Sequence, residues 1–170
     1  MNCNFDKVID RRRTGSVKWD FNQRIFGRED VLPLWVADMD FQAPQAVVEA
    51  LLKRAEHGIF GYSDGMDGYY DSLADWLKKR HGWKIQREWI AFSPGIVFAL
   101  YELVRSLTKE GDKVLLQSPV YPPFFKAIRE NGREVVNSPL KVENGRYVMD
   151  FEDLEEKFAG GVKMMLLCSP

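Results

Sequence analysis

The stretch Lys113–Pro119, which reads KVLLQSP, is an apolar strand-like segment that ends in a Ser-Pro dipeptide. The same ending closes the stretches Ile90–Pro94 and Leu166–Pro170. A Ser-Pro pair after a strand is typical of a helix start, because serine can cap free backbone N–H groups and proline fits the first helical position. Ligands bind at the strand-end loops of α/β sheets, so these endings mark candidate binding loops.

Strands and helices alternate through the second half of the chain. The pattern predicts strands at Glu88–Ser93, Lys113–Gln117, Arg133–Asn137 and Lys163–Cys168, and helices at Gly95–Lys109, Pro122–Glu130 and Asp150–Phe158, the last capped by Asp150. Apolar alternation around Asn144-Gly145 predicts a β-hairpin. Near-continuous apolar strands that alternate with helices indicate a parallel sheet covered on both faces. We therefore expect an α/β fold, a three-layer sandwich with a mostly parallel sheet.

The first part of the chain has a different pattern. Residues 1–43 mix aromatic and charged side chains without sustained periodicity, so they are interpreted as an N-terminal arm that precedes the sheet domain. From Pro44 onwards, helical spacing predicts one helix that ends at Gly58 and another over Asp67–Arg80. The last predicted strand is apolar, whereas domain boundaries are normally polar. Residues 44–170 are therefore expected to be the first part of a larger domain, truncated after Pro170.

Composition and charge exclude several classes of function. Of the 170 residues, 45% are hydrophobic and 29% are charged, and the net charge is −1. This balance gives no reason to expect a nucleic-acid or membrane partner. The first residues contain no apolar core of a signal peptide, so a cytoplasmic location is expected.

The two cysteines, Cys3 and Cys168, are too few and too far apart for a disulfide framework. Cys168 closes an apolar strand and is interpreted as a small core residue. No Cys/His cluster has the spacing of metal ligands, so no metal site is expected.

A strand-to-helix turn contains Gly95-Ile96-Val97 directly after the first Ser-Pro pair. The first N–H groups of a helix are unpaired and its dipole is positive there, so this turn is a candidate anion site. Many such turns bind nothing, and that alternative stays open. The turn does not have the glycine spacing of G-x-G-x-x-G or of a P-loop, which disfavours a nicotinamide or ATP site. A nucleotide-binding oxidoreductase remains an alternative, but only the predicted parallel sheet supports it.

Two tyrosines lie in loops where they can reach a ligand. Tyr121 follows the second Ser-Pro pair in a loop stiffened by prolines, where its ring can stack on a flat ligand. The alternative is a core tyrosine that packs on Phe124 and Phe125. Tyr62 lies in a glycine-rich loop between two predicted helices, where it either contacts a ligand or is simply exposed.

Two carboxylates, Asp38 and Asp40, are two residues apart in the stretch Trp35–Phe41. They are candidate paired acids, and burial by the flanking aromatic rings would raise a carboxyl pKa. The alternative is that they cap a helix or stabilise a turn, which is a common use of aspartate.

Four of these motifs occur together in one family. The stretches Leu32–Phe41, Gly61–Ser63, Ser93–Val97 and Ser118–Pro123 resemble the fold-type-I pyridoxal-phosphate enzymes. Within them, the chain is similar to the cystathionine β-lyase-like branch of the class I and II aminotransferases. The resemblance covers nearly the whole chain and corresponds to the N-terminal portion of the family. It implies the large domain of the pyridoxal-phosphate-dependent transferase fold.

The resemblance implies that pyridoxal 5'-phosphate is the cofactor and assigns residues to it. Gly95, Ile96 and Val97 match the loop whose backbone N–H groups bind the cofactor phosphate. Tyr121 matches the aromatic residue that stacks on the pyridine ring. Tyr62 matches a tyrosine that reaches the phosphate of the neighbouring subunit, so a homodimer would complete the site.

The resemblance also implies a function for the arm and for the complete protein. The arm stretch Trp35–Phe41 matches the segment that covers the active site in the family, and Ala37 and Asp38 match residues in it that lie near an amino-acid substrate. The implied activity is β-elimination from cystathionine-like amino acids to a thiol, pyruvate and ammonia, and an aminotransferase is the close alternative. The Schiff-base lysine of the family would lie beyond Pro170, so the 170 residues alone are not expected to turn over substrate. A non-catalytic chain that acts through protein contacts is the alternative from another class.

Overall fold

We describe the chain from a computed structural model, which places residues 4–169. The chain divides into two compact units, one that ends at Asp64 and one that begins at Gly65. The first unit contains helices α1 (Val17–Asp20), α2 (Asn22–Phe26) and α3 (Gln45–Glu56). Helix α3 lies where helical spacing predicts a helix. The short helices α1 and α2 lie in the arm, where no periodicity predicts them.

The second unit contains the alternating elements. They are α4 (Asp67–His81), a 3-10 turn (Arg87–Trp89), α5 (Ile96–Leu107), β1 (Lys113–Leu116), α6 (Pro123–Arg129), β2 (Glu134–Asn137), β3 (Lys141–Glu143), β4 (Arg146–Val148), α7 (Phe151–Ala159) and β5 (Met164–Met165). The helices agree with the predicted ones to within a few residues at their ends. Asp150 accepts the backbone N–H of Asp153 at 3.3 Å and so caps α7 as predicted.

Strand β1 is the centre of a three-stranded sheet with the order β2-β1-β5. Both neighbours run parallel to it, and Val114 lies opposite Val135 on one side and Met164 on the other. Parallel strands need crossover connections. Helix α6 provides the crossover from β1 to β2, and the hairpin with α7 provides the one from β2 to β5. The predicted α/β fold with a parallel sheet is confirmed.

Both faces of β1 are buried. Successive side chains of a strand point to opposite faces, so Val114 and Leu116 share one face and Leu115 lies on the other. Val114 and Leu116 pack in a core cluster with Val104 of α5 and Phe124 of α6. Leu115 is also completely buried. Burial on both faces explains why β1 is a continuous apolar run in the sequence rather than an alternating one.

The predicted hairpin forms between β3 and β4, with Val142 opposite Tyr147. Asn144 and Gly145 at its tip have φ angles of 51° and 76°. Two successive residues with positive φ are what a type I′ turn requires, and Asn-Gly is the preferred pair there. The local sequence alone therefore determines this turn.

Gly145→Ala is expected to lower the free energy of unfolding of the complete protein by about 1 kcal/mol, because a side chain is unfavourable at positive φ. A Cβ at Gly145 would meet no atom within 4 Å, so the cost comes from the backbone and not from a clash. Gly68→Ala is the matched control: Gly68 also has open space, but it lies in α4, where alanine is preferred to glycine. Denaturant midpoints that shift in opposite directions would support this difference, and equal shifts would contradict it.

The strand predicted at Glu88–Ser93 does not form among the described residues. Arg87–Trp89 is a 3-10 turn, and Ile90 is extended, with φ −96° and ψ 118°. A strand is defined by its hydrogen bonds to a neighbouring strand. Within residues 4–169, the parallel sheet contains β2, β1 and β5 and offers no partner to this segment. The prediction is wrong because the local pattern carries no information about pairing.

The Ser-Pro pairs do not cap helices as predicted. The hydroxyl of Ser93 donates to the carbonyl oxygen of Gly95 at 2.9 Å, and α6 begins after Pro122 rather than at Ser118. These pairs therefore shape the loops that lead to the helices. The proline of the third pair, Pro170, lies outside the described residues.

Cys168 is exposed and its thiol is free, so the prediction of a core residue is wrong. The reason is that β5 ends at Met165, before Cys168. The other cysteine, Cys3, lies outside the described residues. Within residues 4–169, no helix is long and apolar enough to cross a membrane, and no three His, Cys, Asp or Glu side chains are grouped as a metal site would need.

Candidate functional site

The start of α5 and the end of β1 lie at the same edge of the sheet. A short turn over residues 108–112 joins the helix to the strand, and Val104 of α5 belongs to the same core cluster as Val114 of β1. The helix and the strand therefore run in opposite directions, which brings Gly95 and the loop after Leu116 to the carboxyl edge of β1. This is the edge at which α/β sheets bind ligands.

Helix α5 begins with backbone donors that the helix itself does not use. Gly95 is its N-cap residue, and no side chain of the described residues caps it. The first backbone hydrogen bond joins the N–H of Ala99 to the carbonyl of Gly95, so the N–H groups of residues 96–98 have no intrahelical partner. Ile96 and Val97 are exposed, and a Cβ at Gly95 would meet no atom within 4 Å. An anion can therefore approach these N–H groups at the positive end of the helix dipole.

Tyr121 lies in the loop after β1 and leaves about half of its side chain exposed, at 55%. Its ring meets the ring of Phe124 edge-on, with the two centroids 6.5 Å apart. It also borders a cavity of about 730 Å³. Tyr121 therefore combines a contact to the core with an open ring surface on which a flat ligand can stack.

Asn137, the last residue of β2, holds the loop that leads to Tyr121. Its Oδ1 atom accepts the backbone N–H of Ser118 at 3.0 Å, and its Nδ2 atom donates to the hydroxyl of Ser118 at 2.9 Å. The carbonyl of Ser118 also accepts the N–H of Leu140 at 2.8 Å. The start of the loop is therefore held both by the side chain of Asn137 and by the backbone of Leu140. Sequence patterns miss this role because Asn137 lies 19 positions after Ser118.

The cavity beside Tyr121 also contains residues that no sequence motif identified. Gln117, Tyr147 and Cys168 line it together with Tyr121. Gln117 is 6% exposed, and its Nε2 atom has no hydrogen-bond partner among the described residues. Buried amides are normally hydrogen-bonded, so Gln117 is a further candidate for binding a polar group. The only signal in the sequence is a polar residue at the end of an apolar strand.

Three of the predicted site residues, Ala37, Asp38 and Tyr62, belong to the first unit. Ala37 and Asp38 lie in the loop before α3 and are exposed, and the side chain of Tyr62 is completely exposed. The predicted anion-site residues and Tyr121 belong to the second unit.

A cluster of polar and charged side chains surrounds Asp38 and Asp40. Arg11 spans both carboxylates, with Nη1 donating to Asp40 at 2.7 Å and Nη2 donating to Asp38 at 2.5 Å. The Nζ atom of Lys18 and the Nε1 atom of Trp19 also donate to Asp40, each at 2.8 Å. We call these five residues the arm cluster.

The hydrogen bonds of the arm cluster hold the pKa of Asp40 well below its usual range. The bond from Lys18 contributes most, followed by those from Trp19 and Arg11. The bonds to Asp40 and Asp38 in turn raise the pKa of Arg11. The expectation that burial raises a carboxyl pKa here is wrong for Asp40, because the effect of these donors exceeds that of desolvation. Asp40 stays ionised and joins the arm through bonds to Arg11, Lys18 and Trp19, which is a structural role but not the helix cap or turn of the alternative.

The chain belongs to the aminotransferase class I and II family, which it matches over residues 29–170. The cystathionine β-lyase PatB of Bacillus subtilis strain 168 is 48% identical to it over 168 residues. That alignment covers 98% of this chain and 43% of PatB. The family that the four motifs indicated is thus confirmed.

Two solved structures have the same fold. Cystalysin from Treponema denticola, which contains a pyridoxal 5'-phosphate cofactor, has a TM-score of 0.92 and 37% identity, over 100% of this chain and 44% of cystalysin. The pyridoxal-phosphate-bound C-S lyase from Staphylococcus hominis has a TM-score of 0.87 and 36% identity, over 96% of this chain and 42% of the lyase. The chain therefore spans less than half of the length of these relatives.

Proposed function

We propose that the complete protein is a pyridoxal-phosphate-dependent C–S β-lyase, which converts cystathionine-like amino acids into a thiol, pyruvate and ammonia. One observation carries the cofactor assignment: the uncapped start of α5 and the half-exposed ring of Tyr121 lie at one edge of the sheet. The lyase assignment is supported by the similarity to PatB and to the Staphylococcus hominis enzyme.

The residues at this edge fit the two chemical features of pyridoxal 5'-phosphate. The cofactor combines an anionic phosphate with a flat ring. The N–H groups of Ile96 and Val97 would bind the phosphate, and Gly95 leaves the space for its approach. Tyr121 would stack on the ring. A flat ligand without a phosphate would leave the donors at the start of α5 unused.

The arm and Tyr62 supply the rest of the proposed site. We place Ala37 and Asp38 near the amino-acid substrate. Tyr62 would reach the phosphate bound by the second subunit of a homodimer, a role that suits a completely exposed phenol. The proposal also includes a cytoplasmic location and neither a nucleic-acid nor a membrane partner, consistent with a net charge of −1.

The contribution of these residues to the reaction is binding and orientation. When bound, pyridoxal phosphate supplies an electron sink for the α-carbon of an amino acid. The start of α5 would anchor the phosphate, and Tyr121 would fix the plane of the ring. The resemblance matches none of these residues to the Schiff-base lysine of the family, so we assign no proton transfer to them.

The lyase proposal is tested by giving L-cystathionine to the complete protein and measuring free thiol and pyruvate. Equal amounts of the two products are expected. Amino transfer to an oxoacid without release of thiol would overturn the lyase assignment in favour of an aminotransferase. A chain that ends at Pro170 is the negative control, and turnover by that chain would contradict the implied position of the lysine.

Tyr121→Ala is expected to weaken cofactor binding roughly fivefold, because an aromatic stacking contact contributes about 1 kcal/mol. Tyr121→Phe keeps the ring and is expected to bind as the wild type does. Both variants of the complete protein are titrated with pyridoxal phosphate as apoproteins, with the cofactor followed by its absorbance. An equal loss in the two variants would assign the effect to the hydroxyl group and contradict the stacking role.

A further inference from the structure

The arm cluster joins two segments that are distant in the sequence. The hydrogen bond between Arg11 and Asp38 spans 27 positions, and the one between Lys18 and Asp40 spans 22. Nζ of Lys18 also donates to the backbone carbonyl of Asp38 at 2.9 Å. The loop that contains Ala37 is therefore held through its main chain as well as through its side chains.

The cluster differs from the ordinary surface ion pairs of this chain. Arg12 pairs with Asp10, only two positions away, and both side chains are more than half exposed, at 71% and 60%. Such pairs contribute little to stability. The side chain of Lys18 is only 8% exposed, and its ammonium group is neutralised by Asp40. The buried ammonium group needs the charge of Asp40, whose side chain is 37% exposed, so this pair restricts the loop more than a fully exposed pair does.

A rigid turn presents the donors of the cluster. The carboxylate of Asp20 accepts the backbone N–H groups of residues 13–16, at 2.8 to 3.1 Å. These bonds fold the chain between Arg11 and Lys18 into a fixed turn. The backbone between the two donors is therefore held by hydrogen bonds that do not involve the loop that they bind.

We propose that Arg11 and Lys18 are positioning residues that hold the loop Ala37–Phe41 in the conformation that binds the amino-acid substrate. The inference rests on the proposed function, which places Ala37 and Asp38 near that substrate. Neither Arg11 nor Lys18 is required to touch the substrate. Their effect is transmitted through Asp38 and Asp40, so loss of either donor loosens the loop and weakens substrate binding.

The test compares Arg11→Gln with Arg12→Gln in the complete, cofactor-loaded protein. The two positions are adjacent and the substitutions are identical, but only Arg11 belongs to the arm cluster. Arg11→Gln is expected to raise KM about tenfold with kcat changed less than about threefold, because a loosened loop costs binding rather than chemistry. Backbone amide exchange in residues 37–41 is expected to become faster. Arg12→Gln is expected to change neither quantity.

A second variant keeps the test decisive if loss of the guanidinium harms folding. Arg11→Lys can reach one of the two carboxylates but not span both, so its KM is expected to fall between those of the wild type and of Arg11→Gln. A merely structural role would lower the melting temperature of the variants without this graded change in KM.

The inference is overturned if Arg11→Gln keeps the wild-type KM or the wild-type amide exchange in residues 37–41. It is also overturned if Arg12→Gln has the same effect as Arg11→Gln. Failure of the proposed function is visible separately, in the wild type, as absence of thiol release from cystathionine. If the wild type transfers amino groups instead, KM is measured for the amino donor and the same comparison decides the inference.

Discussion

Gly95→Asp is expected to weaken cofactor binding by about 100-fold while the fold is kept. The new carboxylate would lie at the start of α5, where we propose that the phosphate binds. It would accept the N–H groups that the phosphate needs and would also repel the phosphate. Hydrogen bonds to a charged group contribute about 1.5–3 kcal/mol each, so the loss of one or two of them accounts for an effect of this size.

The fold is expected to tolerate aspartate at this position. A Cβ at Gly95 would meet no atom within 4 Å, and aspartate is a preferred N-cap residue. The melting temperature of the apoprotein should therefore stay unchanged or rise. A variant that is at least as stable as the wild type but binds pyridoxal phosphate poorly would locate the phosphate at the start of α5.

Gly95→Asn is the matched control for the charge. Asparagine has the same size and also caps helices, but it does not repel an anion. Its effect on cofactor affinity should be at least several-fold smaller than that of aspartate. Equal affinities of the two variants, or wild-type affinity in Gly95→Asp, would contradict a phosphate site here. Affinity is measured by titrating the apoproteins of the complete enzyme with pyridoxal phosphate.

The parts of the fold that depend on local chemistry could be predicted from the sequence. The hairpin follows from Asn144-Gly145, since few other residues accept two positive φ angles. The cap of α7 follows from Asp150, three residues before the N–H that it accepts. Strand β1 follows from an apolar run that fits a doubly buried strand.

The parts that depend on distant partners could not be predicted. The stretch that ends at Ser93 has the composition of a strand, but pairing is decided by a neighbour that the local pattern does not contain. The role of Asn137 in holding Ser118 could not be predicted for the same reason, because the two residues are distant in the sequence. In the arm, Arg11 and Lys18 lie in a stretch without periodicity, and only the fold brings them to Asp38 and Asp40. The candidate site depends on both. Its loops have local sequence motifs that can be predicted, whereas the residues that hold these loops in place are distant in the sequence and cannot.

Leu116→Ala is expected to lower the free energy of unfolding of the complete protein by about 2–5 kcal/mol. Leu116 is completely buried in the core cluster with Val104, Phe124 and Ile128. These three neighbours belong to α5 and α6, so a cavity at Leu116 removes contacts between β1 and both helices. Leu116→Met conserves the volume and is expected to cost less than about 1.5 kcal/mol. Denaturant unfolding measures both values, and similar losses in the two variants would contradict a cavity effect.

The same variant shows what positions Tyr121. Leu116 lies directly before Gln117 and the loop that leads to Tyr121, but the loop is held by the two hydrogen bonds between Asn137 and Ser118. Under conditions where Leu116→Ala stays folded, these bonds remain, and cofactor affinity is expected to change less than about threefold, because they limit the coupling through the shared neighbour Phe124 to the low end of its usual range. A loss of affinity as large as the loss of stability would show that core packing, rather than Asn137, fixes the ring of Tyr121. Core packing and cofactor binding are therefore expected to respond separately to this substitution, although the residues that carry them are neighbours in the sequence.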